Sequence, residues 1–170
     1  MDKVEKKLDK LRQISLFEDV KNDKEAIKRI AGYFEELKKS AGEEVIKEGE
    51  EQGDSLYVIK KGRVEVLKTT LRNEQYTVFK MSESRNDFFG EIGLLDPDKR
   101  SATVRCIDDC EFYILNRKNF ESFGNEFPRS GLAVTRQLSR IVCRRLRKAN
   151  SDVITLFGAL VNEVEEAGGL

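Results

Sequence analysis

The chain has 170 residues, with 31 Lys plus Arg against 31 Asp plus Glu, no His, three Cys and a hydrophobic fraction of 39%; that is one domain's length, enough to build a core without disulfides, metal or obligatory assembly. Histidine is the usual general base near neutral pH and the commonest ligand for zinc, copper and non-haem iron, so its absence excludes Ser-His and Cys-His triads and metal-cupin chemistry. Zero net charge argues against an overall electrostatic grip on nucleic acid or membrane, there is no signal-peptide core at Met1 and no apolar run of roughly 18 residues, and an odd cysteine count reads as reduced thiols, so the expectation is a soluble cytoplasmic protein.

Residues 1 to about 40 are charged and helical in period. Val4, Leu8 and Leu11 make one apolar stripe, and Ile27, Ile30, Phe34 and Leu37 make a second. Asn22 followed by Glu25 has capping-box spacing, so the segment reads as two helices.

From Gly42 to Leu115 the pattern becomes short runs of Val, Ile, Phe and Tyr broken by Gly, Asp or Asn. It predicts strands at Glu44 to Lys47, Leu56 to Lys60, Arg63 to Thr69, Tyr76 to Met81, Ala102 to Cys106 and Glu111 to Leu115. Lys61-Gly62 and Asn73-Glu74 are the predicted tight turns. Many short strands without long intervening helices indicate an antiparallel sandwich, barrel or jelly roll. Cys106 and Cys110 have the spacing of a ligand pair, but with no His and one other Cys they read as strand filler.

The last zone, from about Pro128 to Val164, reads as one long helix, with Pro128 in its first turn and a frayed end at Gly168-Gly169. Its apolar residues Leu138, Val142, Leu146, Ala149, Val153, Leu156 and Leu160 follow in steps of three and four. A helix of roughly 35 residues extends about 50 Å, beyond what so small a domain can cover, so its outer end needs a partner, expected to be a second copy. Residues 131 to 150 carry six bases and no acid, while residues 151 to 170 carry four acids and no base, an order that opposes the helix macrodipole. A solvated face is the plain reading; a basic patch for an acidic partner, or antiparallel pairing with another copy, is the alternative.

The chemistry concentrates in FFGEIGLLDPDKRSATV, Phe88 to Val104. Gly90 lets a ligand approach the backbone, a helix start offers N–H groups to an anion, Arg100 can fork two hydrogen bonds onto a phosphate, and Glu91 can accept from sugar hydroxyls. These parts together describe a sugar-phosphate cradle.

In this stretch the chain resembles the cyclic nucleotide-binding domain family, the sensor module of bacterial catabolite activators, cAMP-dependent kinase regulatory subunits and cyclic nucleotide-gated channels. The family's phosphate-binding cassette has the form Phe-Gly-Glu, two small or apolar residues, then Arg followed by Ser, Ala or Thr. A second match is EEVIKEGEEQGDSLYVIKKGRVEV, Glu43 to Val66, with Gly49, Gly53, Asp54, Tyr57 and Gly62 in place; a third is Ser15-Leu16-Phe17. The resemblance covers about residues 14 to 160. Two departures are Lys99, where the family usually has Pro, and the loop SESRND before Phe88, longer than the usual Gly-Asp turn and without its glycine.

The resemblance implies an α+β fold: an antiparallel, jelly-roll-like β-roll with N-terminal helices over residues 1–40, a binding core over 41–127 with its cassette at 89–103, and a lid and dimerisation helix over 128–165. It implies that Glu91 accepts the ribose 2′-hydroxyl, that Arg100 pairs with the cyclic phosphate, and that N–H groups around Gly90, Ile92, Ser101 and Ala102 complete the anion site. Ser101 resembles the cAMP-binding bacterial members, with cGMP the less favoured ligand. Val66, Val78 and Met81 are the candidates to lie against the base. The stretch RRLRKANSD is similar to the helix that caps the adenine, placing Arg145 near Glu91 and Asn150 or Ser151 near the adenine amino group. The expected protein is a stand-alone cyclic nucleotide sensor, without catalysis, cofactor, metal or a DNA-reading domain, whose C-terminal helix moves and makes a homodimer. The alternatives are a sensor fragment of a longer regulator, or an interaction module in which Glu91 and Arg100 form a structural ion pair and no ligand binds.

Overall fold

The computed structural model describes residues 2–51, 53–96 and 98–168. Helix α1 (Lys3–Gln13) buries Leu11 and rests Leu8 on the core, and a single 3-10 turn at Ser15–Phe17 then sends Leu16 and Phe17 inward. Helix α2 (Lys24–Ala31) is capped one residue later than the capping-box spacing suggested: the Asp23 carboxylate accepts from the Ala26 N–H at 2.9 Å, while Asn22 stands outside the helix. A carboxylate at that place also meets the positive helix end favourably. Asp23→Ala should therefore lower stability by about 1 kcal/mol in urea unfolding, with Asn22→Ala unchanged. Equal effects from the two substitutions would contradict this assignment.

The second predicted helix does not run on through Phe34 and Leu37. It stops at Gly32, and Glu35–Lys39 form strand β1, with Leu37 opposite Phe112. The three-residue step from Phe34 to Leu37 suits a helix, but the two side chains enter different apolar clusters, and the ladder to a distant strand overrides local period.

The remaining strands are β2 (Glu44–Ile46), β3 (Ser55–Lys61), β4 (Arg63–Thr69), β5 (Gln75–Ser82), β6 (Phe88–Phe89), β7 (Thr103–Cys106) and β8 (Cys110–Asn116). They pair antiparallel throughout, in the orders β1-β8-β3-β6 and β2-β7-β4-β5. This is the jelly-roll-like β-roll that the family resemblance implied, one of the antiparallel forms the strand spacing left open. Gly62, at φ 93°, does not close a hairpin as predicted. It is the corner where the chain leaves the sheet of β3 for the sheet of β4. The β4–β5 hairpin does turn at Asn73, at φ 62°, within a loop closed by Thr70 and Glu74.

The sheet containing β3 and β8 is covered on both faces, and its period-two alternation divides the core. Leu56, Val58, Tyr113 and Leu115 face the helices, while Ile59 and Phe112 face the second sheet with Ile46, Val64, Val66, Met81, Phe89 and Val104. Cys106 and Cys110 are buried in that second cluster, where burial pushes the Cys106 thiol up to about 12, and both act as strand filler.

Helix α3 (Ile92–Leu95) follows β6, helix α4 (Arg117–Glu126) follows β8, and helix α5 (Pro128–Gly168) closes the chain. Gly168 is still helical; Gly169, the other half of the predicted frayed end, lies outside the described residues, as does Pro97 of the cassette. The inner part of α5 packs Val134, Leu138 and Ile141 into the helical core, and Gln137 donates to the Ser15 carbonyl at 2.8 Å. Beyond Val142 the helix projects away with its apolar stripe exposed. Among the described residues no helix is long and apolar enough to cross a membrane.

Candidate functional site

A cavity of about 410 Å³ opens between β4, β5, the β6–α3 turn and α5. Its volume is in the range of small-ligand sites. Val66, Met81 and Val104 make a buried apolar floor, Val78, Phe79 and Ile92 stand exposed at the rim, and Gly90, Glu91, Arg100, Ser101, Ala102 and Arg145 gather at the polar end. Ten sequence-predicted residues therefore line one space: Gly90, Glu91, Ile92, Arg100, Ser101, Ala102, Val66, Val78, Met81 and Arg145. Asn150 and Ser151 do not line it. They lie exposed on α5, about one and a half turns beyond Arg145.

Arg100 is buried, and its surroundings explain its position. Its backbone is held between the Glu50 carbonyl and the Gly49 N–H, at 3.0 and 2.9 Å. Its guanidinium donates to the Ser55 carbonyl at 2.9 Å and to the Gly90 carbonyl at 3.3 Å. Three glycines make the space. A Cβ at Gly53 would stand 1.8 Å from the Arg100 Nε, one at Gly93 would stand 2.7 Å from Nη1, and one at Gly90 would stand 2.5 Å from the Ser55 carbonyl oxygen and 3.2 Å from Nη1. Gly90 also sits at φ 77°, a conformation that a side chain would strain.

Among the described residues no carboxylate forms an ion pair with Arg100. Burial draws its pKa down, partly offset by the more distant Tyr57, Asp54, Glu50 and Glu91. The alternative of a structural Glu91–Arg100 pair is thus absent. The buried Glu91 carboxylate instead accepts from Nη1 of Arg145, whose guanidinium also lies 5.6 Å from the Phe88 ring. The N–H groups of Glu91, Ile92, Ser101 and Ala102 have no acceptor among the described residues, so a guanidinium without a carboxylate partner and four residues with unmatched N–H donors line the same cavity. That arrangement fits an anion with an apolar body. Among the described residues no group of three or more His, Cys, Asp or Glu could hold a metal ion.

The departures in the loops have local solutions. Asn86 takes the left-handed conformation, at φ 55°, in the place of the missing glycine, and its side chain accepts from Lys10. Lys99 extends outward to Glu51 at 3.1 Å.

Several lining residues escaped sequence reasoning. Phe79 lies two residues from Met81 and pairs with Val66, so alternation puts it on their face; Val78 is the residue that needs a bulge, since Val66 pairs with Phe79 and Leu67 with Thr77, leaving Val78 unmatched. The bulge lets neighbours that strict alternation would separate share the cavity wall. Lys68 pairs with Glu48 and donates to the Ser101 carbonyl at 2.5 Å, tying β4 to the cassette; its place two residues after Val66 was the available signal. Gly53 and Gly93 act only through absence of a side chain, which no residue pattern distinguishes from a turn. Arg117, at the start of α4, grips the Gly93 carbonyl at 2.6 Å and thereby links the cassette helix to α4 and α5.

Comparison with known proteins gives the same answer. The model of the cyclic nucleotide-binding domain matches residues 36–127. The cyclic AMP receptor protein of Thermus thermophilus is 27% identical over 121 residues, 71% of this chain and 53% of that protein. The cAMP-dependent protein kinase regulatory subunit of Emericella nidulans is 32% identical over 111 residues, 65% of this chain and 25% of that protein. The crystal structure of the Thermus thermophilus catabolite activator protein superposes with a TM-score of 0.73 at 26% identity, covering 84% of this chain and 62% of that one. The chain thus spans about half the length of the first relative and a quarter of the second. With the family match covering more than half of its residues and the cassette folded around a cavity, the chain belongs to the cyclic nucleotide-binding domain family.

Proposed function

We propose that this protein is a cyclic nucleotide sensor whose ligand is cAMP and whose output is movement of α5. The observation that carries this reading is Arg100: a buried guanidinium in a cavity, hydrogen-bonded to carbonyls and with no carboxylate paired to it among the described residues, is costly unless an anion completes the site. In this reading the cyclic phosphate takes the Arg100 fork with the N–H groups of Ile92, Ser101 and Ala102 and the Ser101 hydroxyl. The ribose 2′-hydroxyl donates to Glu91, and the base lies on Val66, Val78 and Met81. The Ser101 hydroxyl, at the place where the cAMP-binding bacterial members of the family carry Ser, favours cAMP over cGMP.

Switching follows from the competition at Glu91. Without ligand, Arg145 holds that carboxylate and so fixes where α5 leaves the domain. A sugar hydroxyl on Glu91 weakens that hold, and closure of the cassette reaches α4 through Arg117 and Gly93. A ligand favours one helix position over the other only by its differential affinity for the two. Asn150 and Ser151 can reach the base only in a position where α5 has swung over the cavity. The action is switching rather than catalysis, and α5 pairs with a second copy. Free Cys106, Cys110 and Cys143 suit a reducing, cytoplasmic setting. The reading holds whether the sensor works alone, as we propose, or within a longer protein. Calorimetry of the purified chain with cAMP and with cGMP tests it: one site per chain is expected, tighter for cAMP, and no heat with either would leave the ligand-free interaction module standing instead.

A further inference from the structure

Every described side chain of α5 from Cys143 to Glu166 is exposed, although the segment is far from uniformly polar. At 100° per residue, Leu146, Ala149, Val153, Phe157, Leu160 and Val164 fall in one stripe about 80° wide. The pattern repeats after eleven residues, Val142 to Val153 to Val164, which keeps such a seam close to straight. An apolar stripe of this length on a projecting helix needs a cover.

The charges beside the stripe say which way that cover runs. Arg145 and Glu163 stand about five turns apart on one flank, and Arg147 and Glu165 stand about five turns apart on the other. The ion pairs of α5 are Arg140–Asp19, Arg145–Glu91 and Lys148–Asp152, so Arg147, Glu163 and Glu165 have no partner among the described residues. Arg145 gives Nη1 to Glu91 and keeps its other guanidinium donors.

In a parallel, in-register pair, opposite flanks of the two helices meet at the same height. Arg145 would then face Arg147, and Glu163 would face Glu165, like against like at both ends. In an antiparallel pair each flank meets its own copy reversed. Arg145 then faces Glu163 and Arg147 faces Glu165, twice over by symmetry. The same register, crossing level with Thr155, sets Leu146 opposite Val164 and Val153 opposite Phe157, so apolar and charged layers agree. It also accounts for basic residues preceding acidic ones along α5, an order its own macrodipole disfavours.

We propose that the outer half of α5 is an antiparallel self-association surface, covered by the same segment of a second copy with the two β-rolls at opposite ends. This fixes the direction of the pairing assumed above and does not depend on which ligand the cavity takes.

The test uses the full chain carrying Cys143→Ser, which leaves only the buried Cys106 and Cys110. Leu146→Cys and Val164→Cys proteins are oxidised separately and as a mixture. The expected result is a dimer by light scattering that weakens with added salt, and a disulfide-linked dimer that forms from the mixture but not from Leu146→Cys alone. Arg147→Glu should weaken association about tenfold, and adding Glu165→Lys to it should restore it. A 19.5 kDa monomer at micromolar concentration, or efficient cross-linking of Leu146→Cys to itself, overturns the proposal. Circular dichroism of each variant shows that it is folded, and cAMP calorimetry on the same samples reports the cavity independently.

Discussion

Replacing Arg100 with Ala is expected to weaken cAMP binding by roughly 10²–10³-fold, because truncating one partner of a buried, hydrogen-bonded charge pair costs about 2–5 kcal/mol. The same substitution should leave the stability of the ligand-free protein within about 1 kcal/mol of the original. The two expectations go together. Among the described residues Arg100 has only the Ser55 and Gly90 carbonyls as acceptors, and their loss is offset by removing a charge taken out of water without a paired counter-charge. With ligand present, the phosphate supplies that counter-charge. Arg100→Lys keeps a cation but loses the planar fork for which Gly53, Gly90 and Gly93 leave room, so it should fall between the two. Calorimetry and urea unfolding on the same samples decide the matter. Unchanged affinity in Arg100→Ala would remove Arg100 from the site, and a large stability loss with little change in binding would make it a structural residue.

How far the site can be read from residues alone depends on how locally each part is built. Gly90, Glu91, Arg100, Ser101 and Ala102 were legible because one loop and one short helix carry them, so their spacing in the chain is nearly their spacing in the cavity. Val66 and Met81 followed from strand alternation, which places Phe79 on the same face, whereas Val78 joins them at the cavity through the bulge. The meeting of Arg145 with Glu91 joins elements far apart in sequence, and only the family resemblance foresaw it. Strand β1 was misread for a related reason. Its one apolar residue, Leu37, follows Phe34 at helical spacing, and what makes the segment a strand is the ladder to β8. The exposed half of α5 was legible in the opposite sense: a stripe too long for its own domain pointed to a cover from outside it, while the direction of the pairing we propose rests on the flanking charges placed around the helix.

Gly53→Ala is expected to abolish tight cAMP binding about as completely as Arg100→Ala does, in a protein that still folds. Gly53 was read from sequence as a turn former, and it carries no polar side chain of its own. The added Cβ would stand 1.8 Å from Nε of Arg100, 2.3 Å from Cδ and 2.6 Å from Cγ, so the conflict is tightest at Nε and runs back along two methylenes rather than touching the terminal nitrogens alone. A small shift of the guanidinium does not relieve it. Gly93 and Gly90 close the other sides, so the arginine must leave its place, toward solvent, where its charge is easily hydrated. Solvent is therefore the lower-energy destination, and the fold survives while the anion site loses its fork. Gly124→Ala is the matching control, because a Cβ there meets nothing within 4 Å and should leave binding unchanged. If both effects act through the same guanidinium, they cannot add. The double variant Gly53→Ala, Arg100→Ala should bind cAMP no more weakly than Arg100→Ala alone, whereas an additive loss would mean that Gly53 serves the ligand by a route other than Arg100.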